Sequence, residues 1–314
     1  MKPSPRMLAT IVLLVAIALV PVVASLTSNP FLIKLVTRAV ILSIAVLSLD
    51  LILGLGGMIS FGHAIYLGIG GYAVAIAAHH GQYSAFVQWP IAIGLSALVA
   101  LIVGALCLRS KGIYFIMITL AFCQLLYYLA VGSEAYGGDD GLTISRRSSF
   151  GSTIDLADKT TFFYFCFACL TGCLYLTWRL SKSHFGRVLQ AARLNDGRAQ
   201  SLGIPTFRYK LTAFVIAGTM CGLSGVLLAN HTDFVSPGLL QWTLSGDLLI
   251  MVVLGGIGTL VGPIAGAMVF LLLEHALSLV TEHWHIVFGP FLVLMALSKH
   301  GGIAALVPKS YRRG

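Results

Sequence analysis

The chain has 314 residues, 58% of them hydrophobic and only 10% charged, with a formal net charge of +9. That much apolar surface exceeds what a soluble domain of this size can hide, and runs of about 20 apolar residues recur along the whole length, which identifies a polytopic helical membrane protein. The positive charges cluster in loops beside those runs, so they report membrane topology and argue against nucleic acid as a partner.

Apolar spans are predicted near residues 7–27, 36–55, 62–79, 88–108, 112–132, 160–179, 211–231, 244–256, 259–280 and 285–299. The first follows Lys2 and Arg6 and has the outline of a signal peptide, with Val22-Val23-Ala24 resembling a cleavage site. We read it as an uncleaved span. The run 244–256 is too short to cross a bilayer at about 1.5 Å per residue, and reads as a half-helix or re-entrant segment joined to the next. The expected fold is all-α, a single transmembrane domain over residues 1–314. It is a helical bundle of about 8–10 spans with Gly-rich broken or re-entrant segments.

Counting crossings from a cytoplasmic N-terminus places Arg109, Lys111, the stretch 181–210 and the tail with Lys299, Lys309, Arg312 and Arg313 inside. Both termini are then cytoplasmic. The stretch 133–159 falls outside, with five acidic residues against Arg146, Arg147 and Lys159. Lys34 and Arg38 are the misfit, since the count puts them outside; snorkelling at the interface accommodates them. These two loops are longer than ordinary connections and are the candidates for partner surfaces.

Two glycine-rich motifs stand out. The first is Leu53-Gly-Leu-Gly-Gly-Met-Ile-Ser-Phe-Gly-His-Ala64, followed by Gly68, Gly70, Gly71 and Tyr72. The second is Leu254-Gly-Gly-Ile-Gly-Thr-Leu-Val-Gly-Pro263, followed by Gly266. Broken backbone at membrane depth survives only when buried in protein or lining a cavity. Paired interruptions in two halves of a chain point to a translocation pathway between repeats. Close helix packing through small residues is the competing reading. Gly56, Gly57, Gly62, His63, Gly255, Gly256 and Gly262 form this pathway or helix-packing set, with His63 read as a hydrogen-bonded core residue rather than a ligand.

Asp50 and Glu274 are the ionisable residues placed deepest in the spans, either as proton carriers or as structural polar contacts. The six cysteines, 107, 123, 166, 169, 173 and 221, all lie in apolar runs and read as small packing residues, with no metal site expected. Gly222-Leu-Ser-Gly225 matches a G-x-S-G nucleophile signature, but no activating base is placed to serve Ser224. The chain is therefore not expected to be an enzyme. It also has no G-x-x-x-x-G-K-[ST] loop, so it is expected to carry no cofactor, and any ATP is bound by another subunit.

The stretch 181–210 is the most informative, with six Lys/Arg against the single acid Asp196. Its small residues Ala191, Ala192, Ala199 and Gly203 suggest one helix near 186–203, stopped at Gly203-Ile204-Pro205. It resembles the EAA-type coupling helix of bacterial ABC importer permeases. That pattern sets Ala199 and Gly203 on its second Ala and its Gly, with Gly197 and Arg198 in place of its Glu and first Ala.

Together the segments resemble one family over roughly residues 40–300: LivM-like permeases of branched-chain amino acid ABC importers. The resemblance rests on Asp50-Leu-Ile-Leu-Gly54 with Gly57, Ser60 and Gly62-His63-Ala64, on Thr119-Leu-Ala-Phe122 with Gln124, and on Gly137-Gly-Asp-Asp-Gly-Leu142. It continues in Gly186-Arg187, Ala191, Arg193, Asn195, Ala199 and Gly203-Ile204, and in Val253 to Pro263 with Gly266-Ala267. The family often has Asn at the position of Asp50 and Thr at that of Tyr136. The resemblance implies a lipid-embedded subunit of the bacterial inner membrane, paired with a second, related permease. Two cytoplasmic ATPases and a periplasmic solute-binding protein complete such a system. Gly186, Arg187, Arg193, Asn195, Ala199 and Gly203 would then couple to the ATPase. A proton-coupled secondary carrier and an ABC permease for urea or short amides are the alternatives.

Overall fold

The computed structural model describes residues 5–26, 30–150, 156, 158–279, 283, 286, 289 and 290. The span predicted at 285–299 and the basic tail lie outside or almost outside these residues. Helix α1 (Pro5–Leu26) leads to α2 (Pro30–Asp50), which runs on through a π-helical turn, Leu51–Leu55. Then come α3 (Ala64–His79), α4 (Ala85–Cys107), α5 (Ile113–Val131), α6 (Lys159–Lys182), α7 (His184–Leu194) and α8 (Asp196–Ser201). The described helices close with α9 (Thr206–Thr232), α10 (Trp242–Gly255) and α11 (Gly262–Ser278). Strands β1 (Leu142–Thr143) and β2 (Phe234–Val235) pair antiparallel.

Among the described residues, five helices are long and apolar enough to cross a membrane: Phe31–Leu55, Ala85–Cys107, Ile113–Val131, Lys159–Lys182 and Thr206–Thr232. Helices α2 and α9 are the axis of the bundle and are buried over most of their length, whereas α5 is largely exposed. α3 and α4 pack on α9, while α10 and α11 pack on α2. Close approach replaces the hydrophobic effect in this packing, because lipid tails are as apolar as leucine. A Cβ on Gly70 would collide with the Gly222 carbonyl, and one on Gly225 with the Leu67 carbonyl, so α3 and α9 meet backbone to backbone.

The connectivity holds two units of opposite sense. In the first, α2 ends at one face of the bundle, residues 56–63 turn back without helix, and α3 starts in the interior. In the second, α9 ends at the opposite face, residues 233–241 turn back, and α10 starts in the interior. The two half-helices meet where the Ala64 N–H donates to Ser245 Oγ at 2.9 Å. At 16 and 14 residues they measure about 24 Å and about 21 Å, so neither alone crosses a hydrocarbon core of about 30 Å.

This corrects one expectation. The glycine-rich motifs at 53–72 and 254–266 are not equivalent parts of two repeats. The counterpart of 56–63 is 233–241, which is poor in glycine, and the motif at 254–266 spans the end of α10, the tight turn 256–261 and the start of α11. Similar composition reflects a shared need for tight turns, not a shared place in the topology.

A second correction concerns the basic loop, which carries two helices rather than one. Asn195 breaks them with extended backbone (φ −158°, ψ 99°), and its side chain accepts from the Arg198 N–H at 3.0 Å to cap α8. Asn competes with the helix for backbone hydrogen bonds and so favours a cap over an interior position.

Candidate functional site

The face of the bundle that bears α7 and α8 gathers most of the residues singled out from sequence. α7 is amphipathic: Gly186, Val188, Leu189 and Ala192 are buried, while Arg187, Gln190 and Leu194 face out. Ser183 caps it by accepting from the Gly186 N–H at 3.3 Å. Gly186 sits against the Leu180 and Ser181 carbonyls, where a larger residue has no room. α8 buries Ala199 and ends in a Schellman motif: the Gly203 N–H donates to Gln200 O at 2.9 Å and the Ile204 N–H to Ala199 O at 3.2 Å. Gly203 has φ +80°, the left-handed conformation that motif requires. Leu194 and Leu202 are 86% and 76% exposed, an apolar pair on an otherwise cationic face.

Below these helices lies a cavity of about 320 Å³. It is lined by the non-helical stretch Gly56–Ile59, the turn from Leu108 to Gly112, and Ala192, Arg193, Asp196 and Lys210. Asp196 ties the walls together, accepting from Lys210 Nζ at 2.9 Å and pairing with Lys111 Nζ at 3.3 Å. Burial pushes the Asp196 carboxyl up, but hydrogen bonds from Lys210 and Thr206 and the Lys210 charge outweigh it, so its pKa lies below the usual 3.8.

Arg193 reaches from α7 to the end of α2. Its guanidinium donates to the Gly54 carbonyl and its stem lies over Gly57. Asp50, 6% exposed, spends Oδ1 on the Gly258 N–H at 2.7 Å. Asp50 therefore lies near this face of the bundle, tied to the α10–α11 turn. Gly255 abuts Gly262 across that turn, and Gly256 has φ +106° within it. Glu274 lies toward the opposite face, where it pairs with Arg38 at 3.8 Å. That ion pair gives the out-of-place cation a partner.

In the interior, Gly62 lies against the Thr119 carbonyl and the Phe61 N–H donates to Thr119 Oγ1 at 3.3 Å. His63 is fully buried, with Nε2 2.7 Å from Ser48 Oγ. Ser224 donates to Ile41 O at 2.7 Å, tying α9 to α2. Cys123 and Cys221 make weak contacts to Leu240 O and His63 O, in keeping with packing roles. Sequence reasoning missed Asp247, half-buried in the second turn of α10. An acid so close to the start of a half-helix was visible within the run 244–256.

The acidic loop, on the opposite face, is held by contacts distant in sequence. Arg147 grips Asp233 with two bonds, 3.0 and 3.2 Å, and donates to Leu156 O at 3.2 Å. The Ser148 N–H donates to Asn230 Oδ1 at 2.8 Å.

Residues 31–297 match the family model described as branched-chain amino acid transport system / permease component. The chain is 28% identical over 294 residues to the high-affinity branched-chain amino acid transport system permease protein LivM of Salmonella typhimurium, covering 86% of this chain and 69% of that protein. LivM of Escherichia coli K12 matches to the same extent. The L-arabinose ABC transporter permease protein AraH of Azospirillum brasilense is 28% identical over 211 residues, 63% of this chain and 59% of AraH. No solved structure matches. With its helical membrane bundle and a family match spanning most of its length, the chain belongs to the family of permease components of branched-chain amino acid transport systems.

Proposed function

We propose that the chain is the membrane-spanning subunit of an ATP-driven importer for branched-chain amino acids, working with a second permease, two cytoplasmic ATPases and a periplasmic binding protein. As a permease of this family it is a multi-pass protein of the bacterial inner membrane and a transport subunit rather than an enzyme. The face bearing α7 and α8 is cytoplasmic in this reading, which the positive-inside rule supports. Leu194 and Leu202, exposed on that face, supply the apolar contact on which an ATPase docks, and Arg187 its charge. Gly186, Asn195, Ala199 and Gly203 shape the two helices for that contact.

The observation that carries the reading is the reach of Arg193 from α7 to the Gly54 carbonyl, which joins the docking face to the first break in the spans. Movement of α7 then bears on Gly56, Gly57 and Gly62, the non-helical stretch that leads to His63 and the start of α3. Gly255, Gly256 and Gly262 line the neighbouring turn. Asp50 and Glu274 act as contact residues rather than proton carriers here, since each is already engaged, by the Gly258 N–H and by Arg38. The solute assignment rests on likeness to LivM, within a family whose relatives include an arabinose permease.

The test is uptake by proteoliposomes holding the chain with its co-purified subunits. We expect leucine uptake that requires ATP and the binding protein, is competed by isoleucine and valine, and ignores a proton gradient. Uptake driven by the gradient alone overturns the reading. Competition by urea or acetamide but not by valine overturns the solute.

A further inference from the structure

We infer that Asp50 and Arg193 form a two-part clasp that carries a shift of α7 to both inversely oriented units at once, which makes them positioning residues for transport. The inference rests on the importer reading above and deepens it.

The first part is the Arg193 grip. Gly54 lies in the last turn of the α2 extension, where carbonyls lack donors from their own helix. Arg193 supplies one from a different element, 139 residues away in sequence. The second part is Asp50, four residues earlier on the same turn, whose Oδ1 holds the Gly258 N–H across 208 residues. The contact is close because both backbones are bare: a Cβ on Gly54 would stand 2.7 Å from Gly258 Cα and 2.7 Å from Asp50 Oδ1, and Gly258 has φ +73°.

These contacts give α7 two outputs. A pull on the Gly54 carbonyl moves the π-helical turn and, through Gly56 and Gly57, the stretch that enters α3. The same pull moves Asp50 and with it the turn that ends α10 and starts α11. A buried polar side chain is costly unless hydrogen-bonded, and the Gly258 N–H supplies that bond to Asp50 from another element. A carboxylate serving only as a helix stop would gain nothing from a partner in another element.

The test measures solute imported per ATP hydrolysed by the complete transporter in proteoliposomes. Asp50→Asn keeps an acceptor for the Gly258 N–H, so the ratio should stay within about twofold of wild type. Asp50→Leu and Arg193→Ala should each lower it about tenfold while hydrolysis continues, and the double variant should fall no further. Arg193 is exposed, so Arg193→Ala tests the clasp even where Asp50→Leu folds poorly. A merely structural role lowers uptake and hydrolysis together and leaves the ratio unchanged, and that result overturns the clasp. So do additive losses in the double variant. A wild-type complex that shows no ATP-driven uptake overturns the importer reading and the clasp with it; intact wild-type coupling with unchanged ratios overturns the clasp alone.

Discussion

The turns at 56–63 and 233–241 do the same geometric job at opposite faces of the bundle, and they are secured in different ways. At 233–241 the long helix ends on Asp233, a non-glycine at φ +55°. Arg147 holds that carboxylate with two bonds, and β1 pairs with β2 beside it. At 56–63 the reversal passes through Gly57 at φ +67°; Thr119 holds its inner end, and its outer end lies under Arg193, a residue on a helix whose outer side is bare. One turn is stapled by its own neighbourhood. The other is held by a lever that a second protein can reach.

Perturbing what both turns share should have the largest effect. Gly225→Leu drives a side chain into the Leu67 carbonyl where α3 meets α9, and should cost more than the roughly 1–3 kcal/mol typical of overpacking. The expected result is loss of the monodisperse peak in detergent size exclusion; a normal peak would show that the α3–α9 contact yields easily. At the stapled turn, Arg147→Ala should lower the melting temperature by an amount equivalent to about 1 kcal/mol, since Asp233 is 45% exposed and the pair is screened accordingly. Unchanged melting would remove the contrast between the turns.

At the lever, Gly203→Trp meets nothing within 4 Å but forces a side chain onto φ +80° at the end of α8, at about 1–2 kcal/mol. Insertion should persist while uptake fails. The smallest effect is on pH dependence. Because the folded pKa of Asp196 lies below 3.8, the stability it contributes is present above that value and is lost as pH falls through the folded pKa. Asp196→Asn should flatten that acid limb of a melting curve, and an identical limb would place the acid sensitivity elsewhere.

Much of this was legible in the sequence, for reasons specific to each element. Apolar run length sufficed for α4, α5, α6 and α9. The same arithmetic marked 244–256 as a half-helix, now Trp242–Gly255. The split of the basic loop was missed although Asn195-Asp196 is a capping dipeptide, because the small residues on either side share one periodicity. The pairing of units was misread because glycine content follows local backbone need, whereas topology follows which face each helix ends on. Asp50 and Glu274 were identified but not their partners, since Gly258 and Arg38 lie 208 and 236 positions away in sequence. Arg147 and Asp233 gave no signal at all, since each looks like an ordinary loop charge until 86 intervening residues have folded.

The burial of α3 against α9 also sets an order of events during synthesis. Residues 64–79 leave the ribosome long before residues 206–232, and α3 is too short to settle in lipid by itself. At bacterial elongation rates the wait is on the order of ten seconds. For that time α3 lacks the helix against which its glycine face is buried, so its final packing cannot precede the synthesis of α9.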